Sequence, residues 1–248
     1  STPLYSSAAS DVYKRQGAMF SLNKDTRILI TGGTGFVGGH LVEYLAKQGY
    51  MNIHVTHLGS NESIVHQLID SQHIHRVDLT QDQQVNDLWK TIQPEAIFHL
   101  ASLSSVGNSF NQVADVLQNN TQLQVRILEA MKKSDVASRL LAISSGEVYG
   151  KTRVDEQPIA ESQEFRPVNP YAVSKVTQDV LAYMYGETSN LDIVRVRPFN
   201  HTGARQSPDF VISSYAKQIA EIEAGKRQTV EVGNLEASRD FSDVSDIV

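Results

Sequence analysis

A tyrosine and a lysine four positions apart, Tyr171 and Lys175, could together move a proton. Asn169-Pro170 just before them predicts a helix start, and residues four apart in a helix lie on one face. An ammonium beside a phenol favours the phenolate, so we expect the pKa of Tyr171 to fall from about 10 toward neutrality. A tyrosine of this kind can give a proton to a carbinol oxygen or take one from it.

A second group of reactive side chains follows an apolar run. Residues 143–150 read Ile-Ser-Ser-Gly-Glu-Val-Tyr-Gly, which places Ser145 and Glu147 just after a predicted strand. Open parallel sheets bind their ligands at the carboxyl ends of the strands. Tyr-x-x-x-Lys alone is typical of a solvated helix face, but together with a strand-end serine it indicates an active site.

A glycine-rich turn precedes both groups. Residues 31–38 read Thr-Gly-Gly-Thr-Gly-Phe-Val-Gly and connect a predicted strand to a predicted helix. Glycines spaced three apart here permit a tight turn, close approach to a pyrophosphate and close helix–strand packing, while the helix N-terminus faces the negative charge. We predict a dinucleotide-binding turn with the contacts Gly32, Thr34, Gly35, Phe36, Val37 and Gly38.

The ends of the second and third predicted strands bear on the choice of cofactor. A carboxylate at the end of the second strand usually holds the ribose of NAD, and residues 53–61 contain no Asp or Glu. NADP is therefore favoured, while NAD stays open because no arginine stands there to meet the additional phosphate. Asp78 is a predicted contact for the adenine amino group or a simple strand-end cap, and Leu79 is a further predicted cofactor contact.

Short apolar runs alternate with helical patterns from Arg27 onward. This alternation predicts an α/β fold, a Rossmann-type doubly wound parallel sheet with helices on both faces. The predicted strands are Ile28–Ile30, Asn52–Leu58, Ile74–Leu79, Ala96–Ala101, Leu140–Ser144 and Ile193–Val196. The predicted helices are Phe36–Gln48, Gln83–Ile92, Asn111–Lys132 and Tyr171–Glu187.

The pattern changes after Val196. Residues 197–208 are predicted to form a loop, residues 209–225 an amphipathic helix and residues 229–232 a short strand. We therefore predict three regions: a non-native or disordered leader at 1–18, a dinucleotide-binding domain at 19–198, and the start of a small substrate-binding part at 199–248. The chain is expected to stop inside that last part, with its C-terminal end missing.

Composition excludes several classes of protein. The 248 residues include no cysteine, which rules out a disulfide scaffold, a thiol nucleophile and a cysteine-ligated metal. With 22 Lys+Arg against 28 Asp+Glu, binding of nucleic acid through bulk charge is disfavoured. No apolar run approaches the ~20 residues that cross a bilayer. With these classes excluded, we predict a cytoplasmic protein. His73 and His75 have no third ligand nearby, so for them we predict a solvated strand face and no metal site.

The glycine turn, the strand-end serine and the Tyr/Lys helix, in this order, resemble the extended short-chain dehydrogenase/reductase family, which acts on nucleotide-sugars. The resemblance covers most of the chain, from about Thr26 onward. It implies that Ser145 hydrogen-bonds the reacting oxygen, Tyr171 is the acid/base, Lys175 binds the ribose and Asn120 braces the site. The implied cofactor contacts are Leu100, Ala101, Ser102, Asn120, Tyr171 and Lys175, with Ser102 standing where the family more often has alanine.

Three later segments, residues 197–203, 210–211 and 232–241, together with residues 144–150, are most similar to the GDP-6-deoxy-4-keto-mannose reductases of this family. That similarity implies NAD(P)H-dependent reduction of the C4 ketone of a GDP-sugar to GDP-rhamnose. The implied substrate contacts are Asn200, Arg205, Val211, Lys217 and Arg239. The family usually has Gly-Pro-Gly-Gln where this chain has Gly-Ala-Arg-Gln at 203–206, a departure that falls on Arg205.

Glu147 leaves other reactions open, because related dehydratases keep a glutamate two residues after the active serine. GDP-mannose 4,6-dehydratase is the first alternative, and a nucleotide-sugar 4-epimerase is the second. A cofactor-binding scaffold or regulator is a third, which the presence of Ser145, Tyr171 and Lys175 together disfavours. The resemblance also implies a homodimer formed by the predicted helices at 111–132 and 171–187.

Overall fold

The computed structural model describes residues 22–59, 64–104, 106–236 and 238–248, so the predicted leader lies outside the described residues. The strands are β1 (Ile28–Thr31), β2 (Ile53–His57), β3 (Ile74–Arg76), β4 (Ala96–His99), β5 (Arg139–Ile143), β6 (Asp192–Val196), β7 (Asn200–Thr202) and β8 (Phe241–Asp243). The helices are α1 (Phe36–Lys47), α2 (Asp82–Ile92), α3 (Val106–Ser109), α4 (Val113–Lys133), α5 (Pro170–Ser189), α6 (Val211–Glu223) and α7 (Val244–Ile247).

Six parallel strands form the central sheet in the order β3-β2-β1-β4-β5-β6. Ile28 of β1 pairs with Ile53 of β2 on one side and with Ala96 of β4 on the other. The strand order therefore reverses direction between β1 and β4, and sheets of this kind bind ligands beside that point, at the carboxyl ends of the strands. The predicted doubly wound α/β fold is confirmed.

Both faces of the sheet are buried. Ile30 and Val55 pack in one core with α1, whereas Leu29 and Ile97 pack in a second core with α2, α4 and α5. Because helices cover both faces, neighbouring positions of one strand must all be apolar. Burying such a side chain contributes about 1.5–3 kcal/mol, so these two cores hold the strand ends in fixed positions.

Local rules set the ends of α5. Asn169 Oδ1 accepts the N–H of Ala172 at 2.7 Å, and Pro170 occupies the first helical position. Asn190, with φ of +53°, ends the helix in the left-handed conformation. Tyr171 is thereby placed in the first turn of the helix.

Two predictions for the residues after Val196 are wrong. The segment predicted to be a loop contains β7, and residues 229–232, predicted to be a strand, form none. β7 pairs in parallel with β8, with Asn200 opposite Phe241 and Thr202 opposite Asp243. A strand of three residues whose partner lies far along the chain has too few positions to show an alternating pattern.

Candidate active site

The glycine turn between β1 and α1 leaves no room for side chains. Gly32 has φ of +67°, in the region that favours glycine, and a Cβ there would lie 3.1 Å from Ala101 Cα. A Cβ on Gly38 would lie only 2.4 Å from the carbonyl oxygen of Gly32. Gly33, which was not among the predicted contacts, is equally constrained, because its Cβ would lie 2.5 Å from Val55 Cβ.

The first turn of α1 can accept an anion. No side chain caps this helix start, and its first turn contains no acidic residue. Phe36, Val37 and Gly38 line the adjoining cleft. A helix N-terminus offers N–H groups without partners inside the helix and carries partial positive charge, so this turn fits the pyrophosphate of a dinucleotide.

A cleft of about 1520 Å³ joins this turn to the reactive side chains. The predicted site residues that line it are Gly32, Thr34, Gly35, Phe36, Val37, Gly38, Leu79, Leu100, Ala101, Ser102, Ser145, Glu147, Tyr171, Lys175, Asn200, Val211 and Arg239. Thr56, His57 and Lys151 also line the cleft and were missed by the sequence reasoning. The first two stand at the carboxyl end of β2, a position from which a lining role follows once the strand order is known.

Three of the reactive side chains meet in the cleft. Ser145 and Tyr171 both line the cleft, and the Ser145 side chain is near enough to Tyr171 to act on its pKa. Lys175 Nζ lies 5.8 Å from the centroid of the Tyr171 ring and donates to the Ile143 carbonyl and to Gln178 Oε1, both at 2.9 Å. The strand-end serine and the Tyr/Lys helix are therefore brought together at one edge of the sheet.

The pKa of Tyr171 differs from the sequence prediction. Burial raises the pKa of Tyr171 to about 12; the neighbouring Ser145 hydroxyl acts to lower this pKa and the charge of Glu147 acts to raise it. Lys175 is buried as well, and burial lowers the pKa of its ammonium to about 7. The helix spacing predicted that the two side chains are neighbours but could not predict their desolvation. Tyr171 is therefore protonated at neutral pH and suited to donate a proton.

Asn120 lies behind the cleft rather than in its lining. Its Oδ1 accepts the N–H of Leu103 at 2.8 Å, and its Nδ2 donates to the Leu103 carbonyl at 3.1 Å and to Ser174 Oγ at 2.9 Å. Gln178 Nε2 donates to the Asn120 carbonyl at 3.0 Å. Because Gln178 Oε1 also accepts from Lys175, this glutamine, missed in the sequence, connects the asparagine to the lysine.

Glu147 lies in the cleft beside the serine. Asn169 Nδ2 donates to Glu147 Oε2 at 3.1 Å, and the Glu147 N–H donates to Ser145 Oγ at 3.2 Å. The sequence predicted that Asn169 starts a helix but not that it orients this carboxylate. The arrangement holds a potential base next to the Ser/Tyr pair.

Besides Asn120, three predicted contacts lie away from the cleft lining: Asp78, Arg205 and Lys217. Asp78 Oδ1 accepts the N–H and the hydroxyl of Thr80 at 2.9 and 2.7 Å, and the hydroxyl bond is the main reason that the pKa of Asp78 is lowered. This geometry is the strand-end cap that the sequence left open. Arg205 bonds to side chains of α1, and Lys217 lies 3.9 Å from a carboxylate one turn further along α6.

The pairing of β7 with β8 brings together residues that are distant in sequence. Asn200 belongs to β7, and Arg239 precedes β8. Both line the cleft together with Val211, the first residue of α6. Arg239 donates to the Ser238 carbonyl at 2.8 Å. The far side of the cleft thus presents an amide, an apolar side chain and a guanidinium.

The histidines near β3 are not the solvated pair that the sequence predicted. His54 Nδ1 lies 3.0 Å from His75 Nε2, the rings of His54 and His73 are 4.2 Å apart, and all three are half-buried. Burial lowers the pKa of His54 to about 4.

Within the described ranges, no group of three or more His, Asp or Glu side chains is placed to hold a metal ion. Nor does any helix of those ranges have the length and apolar character to cross a bilayer.

The sequence is similar to enzymes that modify GDP-sugars. The model of a family described as GDP-mannose 4,6 dehydratase matches residues 29–248. The GDP-6-deoxy-D-mannose reductase of Pseudomonas aeruginosa is 37% identical over 223 residues, which are 90% of this chain and 68% of the reductase. The GDP-mannose 4,6-dehydratase of Yersinia enterocolitica is 30% identical over 233 residues, 90% of this chain and 62% of the dehydratase.

A solved structure of RMD from Pseudomonas aeruginosa, complexed with NADPH, is similar in fold as well. Its TM-score is 0.76 at 36% identity, over 90% of this chain and 70% of that one. The chain therefore spans about two thirds of the reductase and less than two thirds of the dehydratase. The matched residues 29–248 include the glycine turn, Ser145 and the helix with Tyr171 and Lys175. The chain thus belongs to the GDP-mannose 4,6-dehydratase family of extended short-chain dehydrogenases/reductases, which are NAD(P)-dependent enzymes.

Proposed function

We propose that the whole protein reduces the C4 ketone of a GDP-4-keto-6-deoxyhexose to give GDP-rhamnose, with NADPH preferred over NADH. The observation that carries this proposal is the placement of Ser145 and a protonated Tyr171 in the same cleft as the glycine turn. A ketone that becomes a hydroxyl needs a proton donor at its oxygen. The 37% identity to a GDP-6-deoxy-D-mannose reductase supports the same reaction.

Each polar side chain of the cleft has a separate role in this mechanism. A bound nicotinamide supplies the hydride for the sugar carbon. Tyr171 donates its proton to the ketone oxygen, while Ser145 hydrogen-bonds that oxygen as negative charge develops on it. Lys175 binds the ribose and stabilises the tyrosinate that remains, and Gln178 fixes the position of the lysine.

The far side of the cleft supplies the substrate contacts in this proposal. Arg239 offers a guanidinium fork that matches the oxygens of a diphosphate, with Asn200 and Val211 beside it. Lys217 and Arg205 are left out of the substrate site because they lie away from the lining. For the cofactor, Thr56 and His57 line the cleft at the end of β2. A carboxylate at this place would favour NAD, and neither side chain carries one, which supports NADPH.

The reaction can be tested with the full-length protein. With GDP-4-keto-6-deoxymannose and NADPH, we expect one NADPH to be consumed per sugar, measured by absorbance, and GDP-rhamnose to appear by chromatography. Conversion of GDP-mannose without net change in NADPH absorbance would instead identify a dehydratase. An absence of turnover with either sugar, despite NADPH binding, would leave only a cofactor-binding role.

Dehydration is the alternative that one observation favours, since Asn169 holds Glu147 in the cleft beside Tyr171. Some related dehydratases place an acid at the position of Gly146. A Cβ on Gly146 would lie 2.8 Å from Phe199 Cδ1, so a carboxylate side chain there requires the phenyl ring to move. This crowding supports the reductase over a dehydratase that uses two adjacent acids.

Lys175 is expected to give the reaction a pH dependence. Its pKa of about 7 means that the ammonium is present below pH 7 and lost as the pH rises through 7. Because the ammonium is the form that binds the ribose and stabilises the tyrosinate, kcat/KM for NADPH should fall about tenfold per pH unit above that point. Lys175→Met should be slow at every pH and lack this limb. A wild-type profile that stays flat across about pH 6.5 to 8.5 would contradict the assignment.

We also propose that the protein is a cytoplasmic homodimer. α5 carries the apolar side chains Val173, Val180, Tyr183 and Met184, which are 39–52% exposed. Together with α4 they form a face on which a second copy can pack. Sedimentation velocity of the full-length protein tests this dimer.

A further inference from the structure

Arg205 is held by two side chains of α1. Its NH2 donates to His40 Nδ1 at 2.7 Å and to Glu43 Oε2 at 3.0 Å. A guanidinium can only donate, so His40 Nδ1 accepts and the ring hydrogen resides on Nε2. His40 Nε2 then donates to the Ala204 carbonyl at 2.9 Å. We name the three side chains of His40, Glu43 and Arg205 the α1 latch.

The backbone of Arg205 indicates that its side chain is needed. Its φ of +73° lies in the left-handed region, which is unfavourable for any residue except glycine. A glycine at this position would relieve that conformation but could not reach His40 or Glu43. What arginine provides at position 205, and glycine cannot, is its contacts with His40 and Glu43, since the arginine side chain does not line the cleft.

The α1 latch belongs to a continuous set of contacts between the two halves of the cleft. The ring of Phe36, in the first turn of α1, stacks on His201 of β7 with centroids 6.1 Å apart and planes 12° apart. The side chain of Val244 lies close to Gly203, where a Cβ would approach it to 2.6 Å. β7 pairs with β8, which directly follows the segment of Arg239. Contacts therefore run from the dinucleotide turn to the far side of the cleft.

We propose that Arg205 is a positioning residue that fastens the β7–β8 sheet to α1 and so sets the spacing between the dinucleotide site and the nucleotide-sugar site. This inference rests on the proposed function for the identity of the second ligand. Arg205 then acts on the sugar nucleotide through β7 and β8 rather than by direct contact. Loss of the latch should weaken nucleotide binding on the far side while α1 continues to hold the cofactor.

Binding measurements on the full-length protein separate these two roles for Arg205. We expect Arg205→Met and Glu43→Gln each to weaken GDP binding about fivefold in calorimetry, while NADPH affinity changes less than about twofold. The charge-swapped double variant, Glu43→Arg with Arg205→Glu, should restore most of the GDP affinity. Lys47→Gln is the matched control, because Lys47 Nζ pairs with the same carboxylate at 2.7 Å but lies outside the latch; it should bind GDP as the wild type does.

A direct contact between Arg205 and the diphosphate predicts a different pattern. Glu43→Gln would then leave GDP affinity unchanged or increase it, and the charge swap would not rescue; either result overturns the proposal. Amide hydrogen exchange tests the latch without any nucleotide. Amides of residues 200–203 and 241–243 should exchange about tenfold faster in Arg205→Met, with the six-stranded sheet unchanged. If the wild type bound no GDP, the proposed function would fail, and unchanged exchange in β7 would independently refute the latch.

Discussion

Replacing Tyr171 with phenylalanine is expected to lower kcat by about 10²- to 10⁴-fold while NADPH affinity stays within about twofold of wild type. The substitution keeps the ring and removes only the hydroxyl, in the cleft that Ser145 also lines. Because burial holds the pKa of that hydroxyl at about 12, the phenol is the protonated donor at neutral pH. Single-turnover kinetics with saturating NADPH measures the loss in the chemical step itself.

Tyr183→Phe is the matched control for this prediction. Tyr183 lies on the same helix and is 52% exposed. Its substitution removes an equivalent hydroxyl outside the cleft lining. Its kcat should equal that of the wild type. If Tyr171→Phe retained more than about a tenth of wild-type kcat, Tyr171 would be excluded as the proton donor, although the family membership of the chain would stand.

Gly38→Ala should weaken NADPH binding about 10- to 100-fold. The added Cβ would lie 2.4 Å from the Gly32 carbonyl oxygen and 2.7 Å from Gly33 Cα. Both neighbours are backbone atoms of the turn, so the turn and α1 must move apart. Overpacking of this kind costs about 1–3 kcal/mol, and every 1.4 kcal/mol corresponds to a tenfold change in affinity. Fluorescence titration with NADPH measures the change.

The neighbouring glycine provides the control. A Cβ on Gly39 would meet no atom within 4 Å, although it lies one position further along the same helix. Gly39→Ala should therefore bind NADPH normally and gain about 0.5–1 kcal/mol of stability, because alanine loses less conformational freedom in a helix. Equal losses of affinity in both variants would show that the close packing at Gly38 is not what controls cofactor binding.

Features that depend on local interactions could be predicted from the sequence. The glycine spacing predicted the turn between β1 and α1, and Asn169-Pro170 predicted the start of α5 at Pro170. Apolar runs of the right length predicted all six strands of the central sheet. Most of the predicted site residues line one cleft, since parallel strands align their carboxyl ends at one edge.

Features that depend on distant residues could not be predicted in this way. β7 forms only because β8 lies beside it, and the sequence between them contains no pattern that reveals the pairing. Asn169 reaches Glu147, and Gln178 connects Asn120 to Lys175, through contacts between separate elements. Each of these polar contacts follows from the packing of α5 against its neighbours.

The amino-acid sequence by itself determined the six central strands with the helices between them, the glycine turn and the identity of the Ser/Tyr/Lys group, because helix periodicity, capping and turn conformation act over a few residues. Only the tertiary structure decided the protonation of Tyr171 and Lys175 and the place of Arg205. Burial raises the pKa of Tyr171, for which the helix spacing predicted a fall, and burial also lowers the pKa of Lys175. Arg205 turned toward Glu43 of α1, 162 positions away, because folding brings β7 against that helix.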